Sequence, residues 1–396
     1  MCSVGVGGYS HLMHCVVIGG GLSGLASALW LSEAGHRVTL LERRGSLGGR
    51  TTAIPLDIVD DVPDNGQHVF ASGYVHLMRY LDSVGTRESV CFPGHMTVRM
   101  PGGGTRRSAF GRVAGLRADK PDISSAKVPA DLLVTGIREA RRTKTPISIG
   151  YPTVDLDTLF IDGAKKAFAN NGVEVRHRAV VAGVEVVDGT VAGVILNDGE
   201  RIPAGAVICA VPVWNVKGLL DQVPGHERIY EAIEHLTPVP IVSVNLYLDR
   251  SIGMTDWGEI LYGGEGVLEQ VWDRQQMHSR NASRNHFYST TVSAAYELTQ
   301  KSNAEITETQ MDMLRRYYPD AAGAEVIHSH VVRMPKSTFA QRPGSSGIRP
   351  DQRTAVAGLA LAGDWTRTDW TTTMEGACQS AARAVDVILD YANQPR

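Results

Sequence analysis

The 396-residue chain lacks the features that would place it in a membrane or among disulfide-rich secreted proteins. No uninterrupted apolar run approaches the roughly 20 residues that cross a bilayer. Residues 1–14 have neither the basic start nor the apolar centre of a signal peptide, so we expect them to be a frayed extension. The five cysteines show no paired spacing, which predicts reduced thiols in a cytoplasmic protein.

The chain also lacks a basic excess. Its formal net charge is −3, so the composition gives no reason to expect a nucleic-acid partner, and we predict no metal site. The apolar and glycine content is typical of an ordinary α/β protein, and the length allows two domains. The basic residues between 106 and 120 are interpreted as solvated loop surface, with contact to a membrane or an acidic partner as the minor alternative.

Residues 15–50 carry the strongest motif. An apolar run over residues 15–18 predicts a strand, and Gly19, Gly21 and Gly24 follow it before a helical run over 25–34. This order is typical of a dinucleotide-binding βαβ unit. Gly19 makes the tight turn, Gly21 lets a pyrophosphate approach the backbone, and Gly24 lets helix and strand pack closely. The helix start then offers its N–H groups to the phosphates.

The second strand of this unit, residues 38–41, is followed directly by Glu42. A carboxylate there can accept hydrogen bonds from ribose hydroxyls, so the motif predicts NAD or FAD and leaves the choice between them open. Gly48, Gly49 and Arg50 come next. They suit a backbone that passes close to more phosphate, with a guanidinium to neutralise it. A glycine turn with a solvated arginine explains them equally well.

Polar residues around Gly66 form a second candidate site. The run Asp64-Asn65-Gly66-Gln67-His68 precedes an amphipathic helix. Its glycine lets the backbone approach a flat ring and hydrogen-bond it. His68 is the first candidate to touch that ring or a substrate, although a single histidine is more often structural.

The middle of the chain predicts an interruption of the first domain. We expect a helix over 155–171 and then short β-branched runs separated by Asp-Gly pairs, which form an antiparallel meander. The run 206–212 returns a buried strand to the main sheet. Strands over 237–249, 287–294 and 326–333, with a helix over 305–318, predict a second, mostly antiparallel sheet, the usual place for a substrate pocket.

The C-terminal stretch contains a buried strand that ends in Gly363-Asp364, and Thr373 and Met374 then open a long helix. The start of that helix can stabilise negative charge on a bound ring, and Asp364 can hydrogen-bond a polyol or a pyrophosphate. Glu375 has a simpler explanation as favourable charge in a first helical turn.

Together these motifs resemble the FAD-dependent amine oxidase and phytoene desaturase superfamily. The residues that carry the resemblance are Gly19-x-Gly21-x-x-Gly24, Glu42, Gly48-Gly49-Arg50, Gly363-Asp364 and Met374-Glu375-Gly376-Ala377. Residues 64–68, 361–366 and 370–377 are most similar to the squalene-associated desaturases of the hydroxysqualene dehydroxylase type.

The resemblance implies FAD as the cofactor and a two-domain α/β fold. One domain is a Rossmann-like βαβ core with a β-meander, and the other is a mixed antiparallel-sheet substrate domain. The implied FAD-binding domain is discontinuous, over residues 1–75, 150–225 and 355–396. The substrate domain takes residues 76–149 and 226–354.

The implied FAD contacts fall into three groups by position. Those near the pyrophosphate and ribose are Gly19, Gly21, Leu22, Ser23, Gly24, Glu42, Arg43, Gly49 and Arg50. The adenine lies against the backbone of Val181. Those near the flavin and its ribityl chain are Gly66, Gln67, His68, Gly363, Asp364, Thr373 and Met374.

Three departures from the superfamily bear on the reaction. Amine oxidases of this type often carry a lysine on a substrate-domain strand and an aromatic residue before Met-Glu-Gly. Here the strand 240–248 has no lysine, and Thr373 takes the second position. The stretch 100–151 is also shorter than the usual helical cap over a long isoprenoid. A truncated cap implies a smaller or more polar substrate, a pocket completed by another chain, or a lost activity.

Three functions follow as alternatives. The first is an FAD-dependent oxidoreductase of the desaturase or dehydroxylase type, which exchanges a hydride between flavin N5 and a carbon of a small apolar, isoprenoid or natural-product substrate. Its candidate catalytic groups are His68, Asp64 and Glu375. The second is a flavin amine oxidase of secondary metabolism, and the third a non-catalytic FAD-binding partner protein. We expect at most peripheral membrane contact, and a homo-oligomer is an alternative to a monomer.

Overall fold

A computed structural model describes residues 12–56, 62–108, 148–261, 269–278, 285–342 and 344–394. The chain divides into two compact units. The first unit comprises Met1–Gly49, Asp162–His235 and Ser346–Arg396, and the second comprises Arg50–Ile161 and Leu236–Ser345. The predicted N-terminal extension and most of the shortened cap region lie outside the described residues.

The first unit is built on a parallel sheet of five described strands. In spatial order they are Leu359–Leu361, Ala206–Cys209, His14–Ile18, Arg37–Glu42 and Glu174–His177. The strand order reverses at His14–Ile18, which has Arg37–Glu42 on one side and Ala206–Cys209 on the other. In open α/β sheets, ligands bind beyond the carboxyl ends of the strands at such a switch point.

The helix Leu22–Glu33 begins directly at this switch point and packs against the last helix, Met374–Ala392. All of its residues from 22 to 31 are buried, as expected for a helix between a sheet and a second helix. Two further helices of this unit are Gly163–Asn171, which follows a π-helical turn over Thr158–Asp162, and His226–Glu234.

The predicted meander and return strand are confirmed. Val181–Val187, Thr190–Leu196 and Arg201–Pro203 form an antiparallel sheet, in which residues 188–189 supply the first turn. Ala206–Cys209 then enters the parallel sheet beside His14–Ile18.

The second unit contains a mixed seven-stranded sheet, the large sheet. Its strands, in spatial order, are Val326–Phe339, Pro238–Leu248, His286–Ser293, Glu269–Asp273, Gly258–Leu261, Met96–Arg99 and Thr105–Ser108. Among the described strands of this sheet, only Gly258–Leu261 and Met96–Arg99 pair in parallel. A smaller sheet contains Phe70–Ala71, Ile149–Pro152 and Val90–Cys91. The helices described in this unit are Val75–Val84, Arg274–Met277 and Asn303–Tyr317. A short helix, Ser345–Ile348, lies where the chain passes from this unit to the first.

The two faces of the large sheet differ in chemistry. Even-numbered residues of Pro238–Leu248, such as Val242, Val244 and Leu246, pack into an apolar core with the helix Asn303–Tyr317. Since strand side chains alternate between faces, the odd-numbered residues point the other way. We call this second face the polar face; it carries Ser243, Asn245, Ser289 and Thr291, together with the stacked rings of Tyr247 and Phe287.

Some boundaries differ from the sequence predictions. Residues 50–75 and 150–161 belong to the second unit, because Phe70–Ala71 pairs with Ile149–Pro152 inside it. Arg106 and Arg107, predicted as loop, lie in the strand Thr105–Ser108, which gains its hydrogen-bonding partner from Met96–Arg99. The predicted short helix at residues 131–142 lies outside the described residues.

No helix in the part of the chain that the structure describes combines the length and the apolar character needed to cross a bilayer. The four described cysteines, Cys15, Cys91, Cys209 and Cys378, are free thiols, as the sequence predicts.

Candidate active site

The glycine turn lies at the carboxyl end of the strand His14–Ile18. Gly19 adopts a φ of +105°, and its N–H donates to the Leu41 carbonyl at 2.8 Å. A Cβ at Gly24 would lie 1.8 Å from the Gly19 carbonyl oxygen, so a side chain does not fit there. A Cβ at Gly21, in contrast, would meet no atom within 4 Å. The fold therefore needs Gly19 and Gly24, whereas Gly21 borders open space that a pyrophosphate can enter.

A second glycine pair closes this cradle within the first unit. The Gly48 N–H donates to the Gly20 carbonyl at 2.8 Å, and a Cβ at Gly49 would approach the Gly21 Cα to 3.1 Å. The Ser23 hydroxyl, in the first turn of the helix, is buried and has no hydrogen-bond partner among the described residues. A buried hydroxyl at a helix start beside open space suits a phosphate oxygen.

Glu42 is held by the backbone at the end of its strand. Its two carboxylate oxygens accept the N–H groups of Gly20 and Arg44, each at 2.7 Å. A carboxylate has about four lone-pair sites, so it can still accept hydrogen bonds from ribose hydroxyls. The Glu42 carbonyl accepts the Ala179 N–H at 2.9 Å, which brings the start of the strand at Val181 beside the same end of the sheet. The Arg43 side chain is exposed.

The C-terminal motif reaches the same edge of the parallel sheet. The Ala362 N–H donates to the Cys209 carbonyl at 2.8 Å, and Gly363 follows with a φ of +137°. Asp364 is 7% exposed. Thr373 caps the last helix: its hydroxyl oxygen accepts the Gly376 N–H at 3.0 Å.

A buried arginine organises the loop between Gly363 and that helix. The Arg349 guanidinium donates to the Trp370 carbonyl at 2.8 Å, to the Thr368 hydroxyl at 2.5 Å and to the Thr366 carbonyl. Its Nη2 lies 3.4 Å from the Asp364 carbonyl oxygen. This residue therefore connects the two halves of the predicted flavin-side motif within the first unit.

The polar loop of residues 64–68 lies against the polar face of the large sheet. The Asn245 side chain donates to the Asp64 carbonyl at 3.2 Å, and a Cβ at Gly66 would lie 2.9 Å from the Ser243 hydroxyl oxygen. A side chain at position 66 would therefore displace the Ser243 hydroxyl or move the loop away from the strand. Arg50 belongs to the same unit; its guanidinium donates to the Ser337 carbonyl at 2.6 Å.

Arg274 holds this loop, and the sequence analysis missed it. It opens the short helix Arg274–Met277, and its Nη1 pairs with the Asp64 carboxylate at 2.8 Å and donates to the Gln67 side-chain oxygen at 2.7 Å. The other Asp64 oxygen accepts the Leu156 N–H at 2.9 Å. Burial raises the pKa of Asp64 to about 6, against the charge of Arg274, which lowers it.

His68 is half-buried, and its Nδ1 lies 2.8 Å from the Gly66 carbonyl oxygen. A carbonyl only accepts, so the proton of the neutral ring is on Nδ1 and the lone pair is on Nε2. Burial, and then the charges of Arg50 and Arg274, lowers the pKa of His68 to about 4 in spite of the bond to Gly66. The imidazole is therefore neutral at pH 7 and can act as a weak base.

Comparison with known proteins identifies the family of the chain. The profile of the family described as flavin containing amine oxidoreductase matches residues 22–146 and 160–389. The chain belongs to this family. A 15-cis-phytoene desaturase of Solanum lycopersicum is 26% identical, covering 96% of this chain and 78% of its own length. A zeta-carotene desaturase of Synechocystis is 22% identical, covering 97% and 98%.

A solved structure shows the same fold. The cyclohexylamine oxidase of Brevibacterium oxydans is 13% identical, matches with a TM-score of 0.70, and covers 97% of this chain and all of its own. The predicted two-domain FAD fold and the superfamily are thus confirmed, and the chain is an FAD-dependent oxidoreductase. The closer resemblance to squalene-associated desaturases stays a prediction.

In the first unit the cradle of Gly19–Gly24 with Ser23, Glu42 and the Val181 backbone suits the adenosine and pyrophosphate of FAD. The contacts predicted for Asp364, Thr373 and Met374 in this unit, and for Gly66, Gln67 and His68 in the second, stay predictions.

Proposed function

We propose that this chain moves a hydride between bound FAD and a carbon of a small apolar molecule, in the manner of a desaturase. The main support for this proposal is the nucleotide-binding cradle of the first unit. In addition, the desaturase relatives match nearly the whole chain. The strand Pro238–Leu248 has no lysine, which supports a carbon centre over an amine.

Bound FAD supplies the two-electron chemistry. The residues of the chain bind FAD, exclude water and accept the proton that leaves the substrate. In a desaturation one hydrogen leaves the substrate as hydride and the neighbouring hydrogen leaves as a proton, so a base is needed. We assign that role to Nε2 of His68. A reductive loss of a hydroxyl as water would need a donated proton instead. The neutral His68 carries its proton on Nδ1, bonded to the Gly66 carbonyl, and none on Nε2, so its tautomer favours the oxidative direction.

Asp64 and Glu375 receive different roles. Asp64 is held by Arg274 and by the Leu156 N–H, so we propose that it positions the loop rather than transferring a proton. Glu375, buried in the first turn of the last helix, stays a candidate. A location in the cytoplasm is also part of the proposal, supported by the four described cysteines, which are free thiols.

Anaerobic titration of the oxidised holoenzyme tests the proposal. Polyenes, isoprenoid alcohols and amines are added in turn while the visible flavin spectrum is recorded. We expect bleaching by a substrate with an activated C–H bond. Bleaching by an amine alone, with peroxide on reoxidation, would show an amine oxidase instead. Flavin that no carbon substrate reduces would favour the non-catalytic partner.

The His68→Gln variant tests the base. We expect the rate of flavin reduction to fall by about 10²-fold or more, with FAD still bound. His226→Gln is the matched control, because the His226 ring also bonds a backbone carbonyl, that of Val223, at 2.9 Å. An unchanged rate in His68→Gln would exclude this residue as the base.

A further inference from the structure

The Arg274 guanidinium is hydrogen-bonded along one edge, and we call its other edge, Nε and Nη2, the unused edge. Nη1 binds Asp64 and Gln67, whereas Nε and Nη2 are buried without a hydrogen-bond partner among the described residues. The residue is 1% exposed, and its guanidinium carbon lies 5.6 Å from the ring centroid of Phe287, on the polar face. Arg274 thus lies between the loop of residues 64–68 and the large sheet.

The charge of Arg274 is already balanced. The Asp64 carboxylate, 2.8 Å away, is the counter-charge of Arg274. A second carboxylate on the unused edge would leave two buried anions against one cation, which desolvation disfavours. The unused N–H groups still need an acceptor, because a buried donor without one costs free energy. An uncharged oxygen meets both conditions.

His278 lies one helical turn after Arg274, and its N–H donates to the Arg274 carbonyl at 3.0 Å. Its Nε2 is likewise buried without a partner in the described part of the chain. Burial, and then the charge of Arg274, lowers the pKa of His278 to about 2, so the ring is neutral. A neutral imidazole nitrogen can accept a hydrogen bond from a hydroxyl or donate one to a carbonyl, depending on its tautomer.

The polar face carries further buried side chains that can form hydrogen bonds. Ser243, Asn245 and Ser289 are almost fully buried, and Thr291 Oγ1 is buried without a partner among the described residues. The register places Ser243 opposite Thr291 and Asn245 opposite Ser289. A pure hydrocarbon against this face would leave the Thr291 hydroxyl without a hydrogen-bond partner.

We propose that Arg274, with His278 beside it, binds an uncharged oxygen of the substrate. The substrate is then an apolar molecule that carries a hydroxyl or carbonyl group, and neither a hydrocarbon nor a carboxylate. The inference rests on the proposed function, whose substrate class it narrows.

Binding of matched probes tests it without turnover. Farnesol, farnesene and farnesoic acid share a C15 skeleton, and geraniol, myrcene and geranic acid share a C10 skeleton. Dissociation constants are measured by calorimetry on the oxidised holoenzyme. In at least one series we expect the alcohol to bind about tenfold or more tightly than the hydrocarbon and the acid. No alcohol preference in either series would overturn the proposal.

Arg274→Lys keeps the ion pair with Asp64 but removes the guanidinium edge. We expect the alcohol preference to shrink to about threefold or less. The matched control is Arg99→Lys, which alters another buried arginine–carboxylate pair of the same unit, Arg99 with Glu259, and should leave the preference unchanged. A preference retained in Arg274→Lys would overturn the proposal.

Three further outcomes are informative. If Arg274→Lys does not fold, His278→Leu carries the test, since it leaves the ion pair intact and should reduce the preference at least about threefold. If Arg274→Lys loses FAD while Arg99→Lys retains it, the acceptor is a flavin carbonyl and the substrate assignment is wrong. Alcohol binding without any flavin reduction would instead count against the proposed function alone.

Discussion

Gly21 and Gly24 lie three residues apart in one turn, but they are constrained by different partners. Gly24 faces the Gly19 carbonyl oxygen, which is part of the protein, and Gly21 faces open space. A glycine is therefore needed at position 24 for folding, and at position 21 for cofactor binding. Substitution by alanine separates them.

In Gly21→Ala we expect an apoprotein of unchanged stability whose FAD dissociation constant rises at least about tenfold, because the methyl group occupies the approach of the pyrophosphate. In Gly24→Ala we expect the apoprotein itself to lose roughly 3 kcal/mol, because the methyl group overlaps a backbone oxygen. Urea denaturation and flavin fluorescence titration measure the two quantities. Equal FAD affinity in Gly21→Ala and wild type would contradict the cradle.

His278 makes folding sensitive to pH. Its pKa is about 2 in the folded protein against 6.5 for an ordinary histidine, so below 6.5 the unfolded chain binds a proton that the folded one does not. Stability therefore falls as the pH drops, by about 2 kcal/mol at roughly pH 5 for this residue. His68 acts in the same direction, whereas Asp64, with its raised pKa, acts in the opposite direction below about pH 6.

The His278→Leu variant isolates this contribution. Its loss of unfolding free energy between about pH 7.5 and pH 5 should be smaller than that of wild type by about 2 kcal/mol. Comparing the two pH-dependent losses removes the effect of the substitution on packing. Identical losses would show that His278 is protonated in the folded protein.

At the scale of elements, prediction succeeded where the cause is local. The glycine turn, its helix and the strand ending at Glu42 lie within about thirty residues, and spacing alone defines them. Strand length was predicted less well: residues 326–333 were expected, but Val326–Phe339 is observed. The extra residues pair with the first residues of Pro238–Leu248, with an irregularity in the register between Val239 and Ile241. A local sequence pattern does not predict such a partner.

The loop between Gly363 and the last helix depends on one distant side chain, Arg349. Arg349→Met would leave the Trp370 and Thr366 carbonyls without this donor, and we expect a loss of about 3 kcal/mol of stability and faster amide exchange over residues 364–372. The matched control is Arg353→Met, which breaks an exposed pair with Asp390 and should change stability by less than about 1 kcal/mol. Equal effects would contradict the organising role of Arg349.

At the scale of the whole molecule, the sequence predicted the superfamily fold, the cofactor and two domains. It did not predict Arg274, because the partners of this residue, Asp64 and Gln67, precede it by more than 200 residues along the chain. An arginine after a short apolar run looks like a solvated strand end. Only the folded second unit brings it beneath the loop of residues 64–68.

The visible spectrum of the purified protein, with and without added FAD, tests the central claim most directly. We predict an oxidised flavin spectrum with about one FAD per chain, released on denaturation and weakened in Gly21→Ala. A folded wild-type protein that stays colourless after incubation with FAD would contradict the account.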